Sequence, residues 1–227
     1  MKIIAINGSP RKHHNSDLML HKWVDGVRSV APDADIQIVN LYDLKFTGCR
    51  SCFACKLVGG KFYGTCPIPD GIHDLLADIR KADAVAIASP NYFGDLNAQT
   101  KCMLERMLFS AMTYSGKILT EKPVDFTMIY TMNATEEQSE QYGQTANMDH
   151  ADSIISRMYL RPVRRVVAYF TYQFDDYGKY EVTYFKEEDK RRYREEQFPK
   201  DLQRAFDTGA AVARDIPLKF WAKNTEL

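Results

Sequence analysis

Two short apolar runs, IIAIN at 3–7 and AVAIA at 84–88, each stop at a breaker containing Ser-Pro, and each is followed by residues spaced for one face of a helix. Leu20, Trp23, Val24, Val27 and Ala31 follow the first run, and Leu104, Met107, Leu108, Ala111 and Met112 follow the second. Runs this short, bounded by breakers, read as strands buried on both faces. Alternating with helices, they join through right-handed crossovers into a parallel sheet, which commits the chain to an α/β fold.

The unit recurs. Ile36, Ile38 and Val39 make a second strand, and VDFTMIY (124–130) and VRRVVAYF (163–170) make the fourth and fifth. Helices are expected around Ile72, Leu75, Leu76 and Ile79, around Ile154, Ile155 and Met158, and after Pro199, where Leu202, Ala205, Phe206, Gly209 and Ala213 share a face. Aromatic residues alternate across 172–185 about a Gly-containing turn, so an added β-hairpin is expected there. The charged run at 187–197 is expected to be a solvated helix face, because its signs are mixed. The chain, 1–227, reads as one doubly wound domain with insertions at about 45–70, 133–147 and 171–198. Ligands of such sheets bind beyond the carboxyl ends of the strands, so the loops after the first, third and fourth strands carry the function.

Charge narrows the partner. Lys+Arg and Asp+Glu both number 30, so no basic excess exists to grip nucleic acid or an anionic membrane. No apolar run approaches the ~20 residues of a membrane span, and the opening MKIIAING lacks the features of a signal peptide. Four of the five cysteines crowd one segment, which suits thiol or metal chemistry in a reducing compartment better than a disulfide framework. A cytoplasmic protein acting on a small molecule is expected.

The loop GSPRKHHNS at 8–16 holds a single glycine, so it is neither a P-loop nor a dinucleotide fingerprint. Ser9, Asn15 and Ser16 offer hydrogen bonds, Arg11 and Lys12 offer charge, and the following helix offers free N–H groups; together these suit one phosphate monoester. Asn15 or Ser16 also suits a simple helix cap within a solvated loop, and this loop alone leaves both readings open. The loop after the third strand presents Pro90, Asn91, Tyr92, Phe93 and Gly94. Its backbone N–H groups, small residue and aromatic faces suit a flat heterocycle, although Tyr92 and Phe93 also suit plain core packing.

Taken as a pair, GSPRKxxNS and SPNYFGDLNAQTKxxLER resemble the flavodoxin-fold NAD(P)H-dependent FMN reductases, particularly the branch that includes the iron–sulfur flavoproteins. Members of that branch read approximately GSPRxxxN[TS] and SPxYxxxxxxxxKxxxDR. The likeness covers about the first half of the chain and departs at Glu105, where aspartate is commoner, and at His13 and His14, where small residues are usual. It implies a flavodoxin-like five-stranded parallel sheet of order 2-1-3-4-5 with helices on both faces. It also implies that Ser9, Arg11, Asn15 and Ser16 hold the FMN phosphate, that Pro90, Asn91, Tyr92, Phe93 and Gly94 run along the isoalloxazine ring, and that Thr131, Met132 and Asn133 meet its other side. A homodimer or homotetramer is implied as well. No catalytic side chain is demanded, since the flavin carries the chemistry.

Cys49-x2-Cys52-x2-Cys55-x10-Cys66-Pro67 places three thiols within seven residues. Four thiolates hold a [4Fe-4S] cluster and the run echoes ferredoxins, whereas zinc more commonly uses two separated pairs. The resembling iron–sulfur proteins have a shorter final gap, so cluster, zinc and reduced thiols all stay open. Cys102, Lys101 and Arg106 are expected to be structural, the cysteine in the core and the two cations on the helix surface or at a subunit contact. The function expected is an FMN-dependent oxidoreductase passing reducing equivalents from NADH or NADPH to a quinone, flavin, nitro or azo compound. The alternatives are an iron–sulfur flavoprotein or FMN electron carrier with a protein redox partner, and a non-catalytic flavodoxin-like interaction protein.

Overall fold

The computed structural model describes residues 1–222. Its elements run β1 (Lys2–Asn7), α1 (Asn15–Val30), β2 (Asp35–Asn40), α2 (His73–Lys81), β3 (Ala84–Tyr92), β4 (Asp95–Leu96), α3 (Ala98–Ser110), β5 (Asp125–Thr131), α4 (Glu136–Gln141), α5 (Gln144–Tyr159), β6 (Arg164–Ala168), α6 (Glu187–Glu196) and α7 (Phe198–Ala222). The parallel strands lie in the order β2-β1-β3-β5-β6, and β4 pairs antiparallel with the end of β3. This is the doubly wound order expected, with its switch point between β1 and β3.

Strand alternation divides the core in two. Ile4, Ile6, Val85, Ile87 and Met128 pack with residues of α2, α3 and α5. On the opposite face Ile3, Ala5, Ala84, Ala86 and Ala88 meet α1 and α7. The small side chains of that face leave room for Trp23, which is fully buried and donates from Nε1 to Thr127 Oγ1 at 3.1 Å. Burying a large apolar side chain of this kind contributes about 1.5–3 kcal/mol. A Cβ at Gly26 would lie 1.9 Å from the Phe206 carbonyl oxygen, and one at Gly209 would lie 2.0 Å from that of Trp23. Helices α1 and α7 therefore meet backbone to backbone, which steadies the helix whose N-terminus follows the first loop.

Three expectations change. Residues 172–185 form no strand: they hold a 3-10 turn at Tyr177–Lys179 inside a cluster of rings, with Phe174 and Tyr180 stacked at 4.1 Å between centroids. The alternating aromatics face one another rather than a sheet, because the preceding backbone is already engaged: Phe170 N donates to Ala134 O and Thr171 N to Met132 O. The antiparallel addition to the sheet is instead the β3–β4 hairpin, turned by Phe93 at φ 52° and Gly94 at φ 88°. Positive φ at both central residues is what a tight two-residue turn of matching twist requires. Secondly, α6 is not wholly solvated, since Lys190 is fully buried. Thirdly, Arg106 lies inside the protein, only 1% exposed, while Lys101 stays at the surface paired with Asp95.

Candidate functional site

The loops after β1 and β3 are fastened to each other. Gly8 N donates to Ala88 O at 2.7 Å, and a Cβ on Gly8 would come 2.1 Å from Thr100 Oγ1. Asn97 caps α3, its Oδ1 accepting from Thr100 N at 3.1 Å, while its Nδ2 donates to Gly8 O. Asn7 Oδ1 accepts from Ser9 N at 2.9 Å, which turns the chain sharply out of β1. Neither Asn15 nor Ser16 caps α1: His14 holds the cap position, and buried Asp17 reaches back to accept from His13 N at 2.7 Å. Asn15 and Ser16 are thus free to project from the first helical turn.

Ser9, Arg11, Asn15, Ser16, Pro90, Asn91, Tyr92 and Thr131 line one cavity of about 30 Å³, together with Thr171 and Gln173. Here Arg11 Nη1 donates to Gln173 O at 2.6 Å, Asn15 Nδ2 donates to Tyr172 O at 2.8 Å, and Ser16 Oγ lies 2.7 Å from Thr131 Oγ1. Two backbone carbonyls thereby engage two of the side chains expected to hold a phosphate. Asn91, Phe93, Gly94 and Asn133 line a second cavity of about 460 Å³, walled by Met132, Tyr142, Phe170, Tyr184 and Phe185. Asn91 borders both cavities, and its buried Oδ1 has no hydrogen-bond partner among the described residues. The Phe93 ring stands fully in solvent on its strained turn, and Tyr92 is partly exposed, so neither serves as plain core.

The cysteines converge elsewhere. Cys49, Cys52, Cys55 and Cys66 line one small cavity with Arg50, Arg106 and Phe109. Left-handed backbone at Ser51, φ 51°, and Phe53, φ 56°, bends the segment sharply. The two ends of the loop are held by neighbours on α3: Glu105 accepts from Cys49 N at 3.0 Å, and Arg106 Nε donates to Cys66 Sγ at 3.3 Å. Arg106 also pairs with Asp70 at 2.6 Å and donates to Ile68 O and Thr47 O. Burial alone would raise the Asp70 carboxyl, but the Arg106 hydrogen bond and charge hold it below the ordinary carboxylate range. Burial pushes the Cys55 thiol up, opposed by the Lys56 ammonium and reinforced by the other three sulfurs.

Residues 1–153 match the family described as NADPH-dependent FMN reductase. The chain belongs to that family. FMN is the family's cofactor, and oxidoreduction with a nicotinamide donor is its chemistry. Among curated proteins the chain is 32% identical over 106 residues to an iron–sulfur flavoprotein of Methanocaldococcus jannaschii, covering 47% of this chain and 51% of that one. An iron–sulfur flavoprotein of Archaeoglobus fulgidus is 32% identical over 112 residues, covering 49% and 51%. The chain spans about half the length of these relatives. Among solved structures, an NAD(P)H:quinone oxidoreductase from Methanothermobacter marburgensis superposes with TM-score 0.65 at 17% identity, over 92% of this chain and 96% of that one. An azoreductase from Bacillus anthracis gives TM-score 0.66 at 10% identity, over 92% and 99%. At such identities these superpositions show the fold.

Relative to this family's loops, the sequence concealed part of the wall. Thr171, Gln173, Tyr184 and Phe185 of the third insertion, with Phe170 just before it, complete both cavities. Lys190, Tyr193 and Arg194 of α6, with Gln197 just past its end, are buried or half-buried and recur at i, i+3, i+4 and i+7. That periodicity was the available signal, hidden because the residues are polar. No helix among the described residues is long and apolar enough to cross a membrane.

Proposed function

We propose that the chain is a single FMN-binding domain that takes reducing equivalents from NADH or NADPH and passes them to a small acceptor, such as a quinone, flavin, nitro or azo compound. The observation that carries this reading is the meeting of two cavities at Asn91, whose buried Oδ1 is left unpaired among the described residues. A buried acceptor without a partner costs about 1–3 kcal/mol, which a donor on a bound ligand would offset. The smaller cavity, at the N-terminus of α1, gathers Ser9, Arg11, Asn15 and Ser16 for a phosphate, with the Tyr172 and Gln173 carbonyls giving way to it. The larger would take the flat ring between Asn91, Phe93 and Gly94 on one side and Met132 and Asn133 on the other, with Pro90, Tyr92 and Thr131 on the smaller cavity beside it, and no charged side chain is among its described lining residues. Bound FMN supplies hydride acceptance and release; the protein orients it and keeps water from it. The exposed rings of Phe93, Tyr142 and Tyr184 suit coverage by a second copy of the chain, as in a homodimer or homotetramer. All five cysteines are free, which suits a reducing, cytoplasmic setting.

The test is to purify the protein anaerobically, assay flavin, and add NADH or NADPH while recording the visible spectrum. Stoichiometric FMN uptake and bleaching by one of the nucleotides are expected; failure to take up FMN overturns the reading. Asn15→Ala should weaken FMN binding about tenfold, the loss of one hydrogen bond to a charged group.

A second reading has its own observation. Four cysteines on one cavity, flanked by Arg106 and Lys56, offer the donors and compensating charge for a [4Fe-4S] cluster, and with it electron transfer to a protein partner. Among the described residues no three His, Cys, Asp or Glu side chains converge closely enough to hold a single metal ion, as a zinc site requires. A cubane asks less convergence, because each thiolate binds a different iron. Iron assay of the same preparation separates the readings: four irons per chain support the second.

A further inference from the structure

Helix α6 contains one residue that solvent does not reach. Lys190 is 0% exposed, and its ammonium donates to the Asn133 carbonyl oxygen at 2.9 Å, to Asn133 Oδ1, and to Thr171 O at 3.4 Å. It also lies 3.6 Å from the centre of the Phe170 ring and 4.3 Å from that of Phe185. Carbonyl oxygens and aromatic faces both attract a cation, yet among the described residues no carboxylate pairs with this one. The groups facing it from the loop after β5 and from the 170–185 segment are uncharged: Asn133, Thr171, Phe170 and Phe185. On its own helix Glu187 is engaged by Arg191 and Tyr172, and Asp189 by Arg192. Asp201 of α7 is engaged by Arg204, Gln197 and Tyr193. Burial, with no compensating anion, pushes the Lys190 ammonium down to about 7.

A lysine so placed is costly to keep, since an unneutralised charge is taken out of water. Its position shows what it can do. Asn133, Phe170 and Phe185, all touching Lys190, also line the larger cavity. The ammonium therefore stands directly behind the cavity wall and joins the loop after β5 to the third insertion.

We propose that Lys190 is a positioning residue of the cofactor site, holding Asn133 and Phe170 in the wall and imposing a positive potential that favours the reduced, more electron-rich form of the bound ring. The inference rests on the FMN reading above. Charge near the ring is among the means by which a protein tunes a flavin, and the uncharged lining leaves Lys190 unopposed at close range.

The experiment compares wild type with Lys190→Met and Lys190→Arg, measuring the affinity for oxidised FMN by fluorescence quenching and the flavin midpoint potential by dye equilibration at pH 6 and pH 8.5. For Lys190→Met the affinity for reduced FMN should fall about tenfold more than that for oxidised FMN, which for a two-electron couple is a shift of about 30 mV to more negative potential. The shift should be largest at pH 6, where the wild-type lysine is charged. Lys190→Arg should restore the pH 6 potential and hold the same advantage at pH 8.5, because arginine stays protonated. A Lys190→Met protein with the wild-type potential at both pH values overturns the proposal. So does Lys190→Arg behaving like wild type in its pH dependence, which tests the idea even if the methionine variant does not fold. Wild type that binds no FMN sinks the underlying reading instead, a distinct result seen before any variant is examined.

Discussion

Arg106 in α3 and Lys190 in α6 are both buried cations, 1% and 0% exposed, yet they are kept in opposite ways. Arg106 has a carboxylate, Asp70 at 2.6 Å, and spends its other donors on Cys66, Ile68 and Thr47 around the cysteine loop. Lys190 has no carboxylate among the described residues and is held by carbonyl oxygens and two phenylalanine rings. Burial alone would lower both groups; Asp70 and Cys66 more than reverse this for Arg106, and nothing reverses it for Lys190. A guanidinium that cannot lose its proton suits a permanent staple, whereas an ammonium near neutrality suits a wall whose charge can change. The thiol region is thus built for rigidity and the cavity region for adjustable potential.

The largest test of this contrast is Arg106→Met. It leaves Asp70 and the loop carbonyls without their donor and should cost about 3–5 kcal/mol in urea unfolding. Asp70→Asn should cost less, about 2 kcal/mol, because Asp70 is partly hydrated and the arginine keeps its other bonds. The same variant also changes the response to acid. The Asp70 carboxyl titrates below its unfolded value of about 4, so its contribution is present above that pH and is lost as pH falls through the lower folded value. Acid unfolding of Asp70→Asn should lack that component. Phe170→Leu, measured without flavin, should cost about 1–2 kcal/mol through the lost cation–ring contact and packing. The smallest expected effect is the sharpest: Lys190→Met should change stability at pH 6 by less than about 1 kcal/mol, or raise it, since no partner anion is orphaned. In wild type the unfolded state binds more protons between pH about 7 and about 10.4, so stability should rise with pH across that window and stay flat in Lys190→Met. A Lys190→Met protein as damaged as Arg106→Met would erase the contrast.

How far the sequence reached follows the same division. The strands were legible because each is an apolar run with breakers, their parallel pairing followed from the crossovers, and the sheet order came from the family resemblance alone. The loops after β1 and β3 were legible as clusters of polar, charged and aromatic side chains, and the structure draws Ser9, Arg11, Asn15, Ser16, Pro90, Asn91, Tyr92 and Thr131 to one cavity. Residues 172–185 misled because aromatic alternation describes a strand and a ring cluster equally well, and only the tertiary engagement of the 170–171 backbone distinguishes them. Arg106 and Lys190 misled because hydropathy assigns every cation to water, while burial depends on partners from remote segments, Asp70 for one and Phe170 for the other.

The opposed glycines of α1 and α7 bear on how such a chain can change by descent. Gly209 lies outside the 1–153 stretch that matches the family, while Gly26 lies within it, and each occupies space that the other helix's backbone fills. A recombinant joining the first part of a relative to this final helix collides unless both positions keep hydrogen as their side chain. The front of the molecule and its last helix are therefore coupled at two points, and a hybrid library should recover folded members only where glycine stands at both positions.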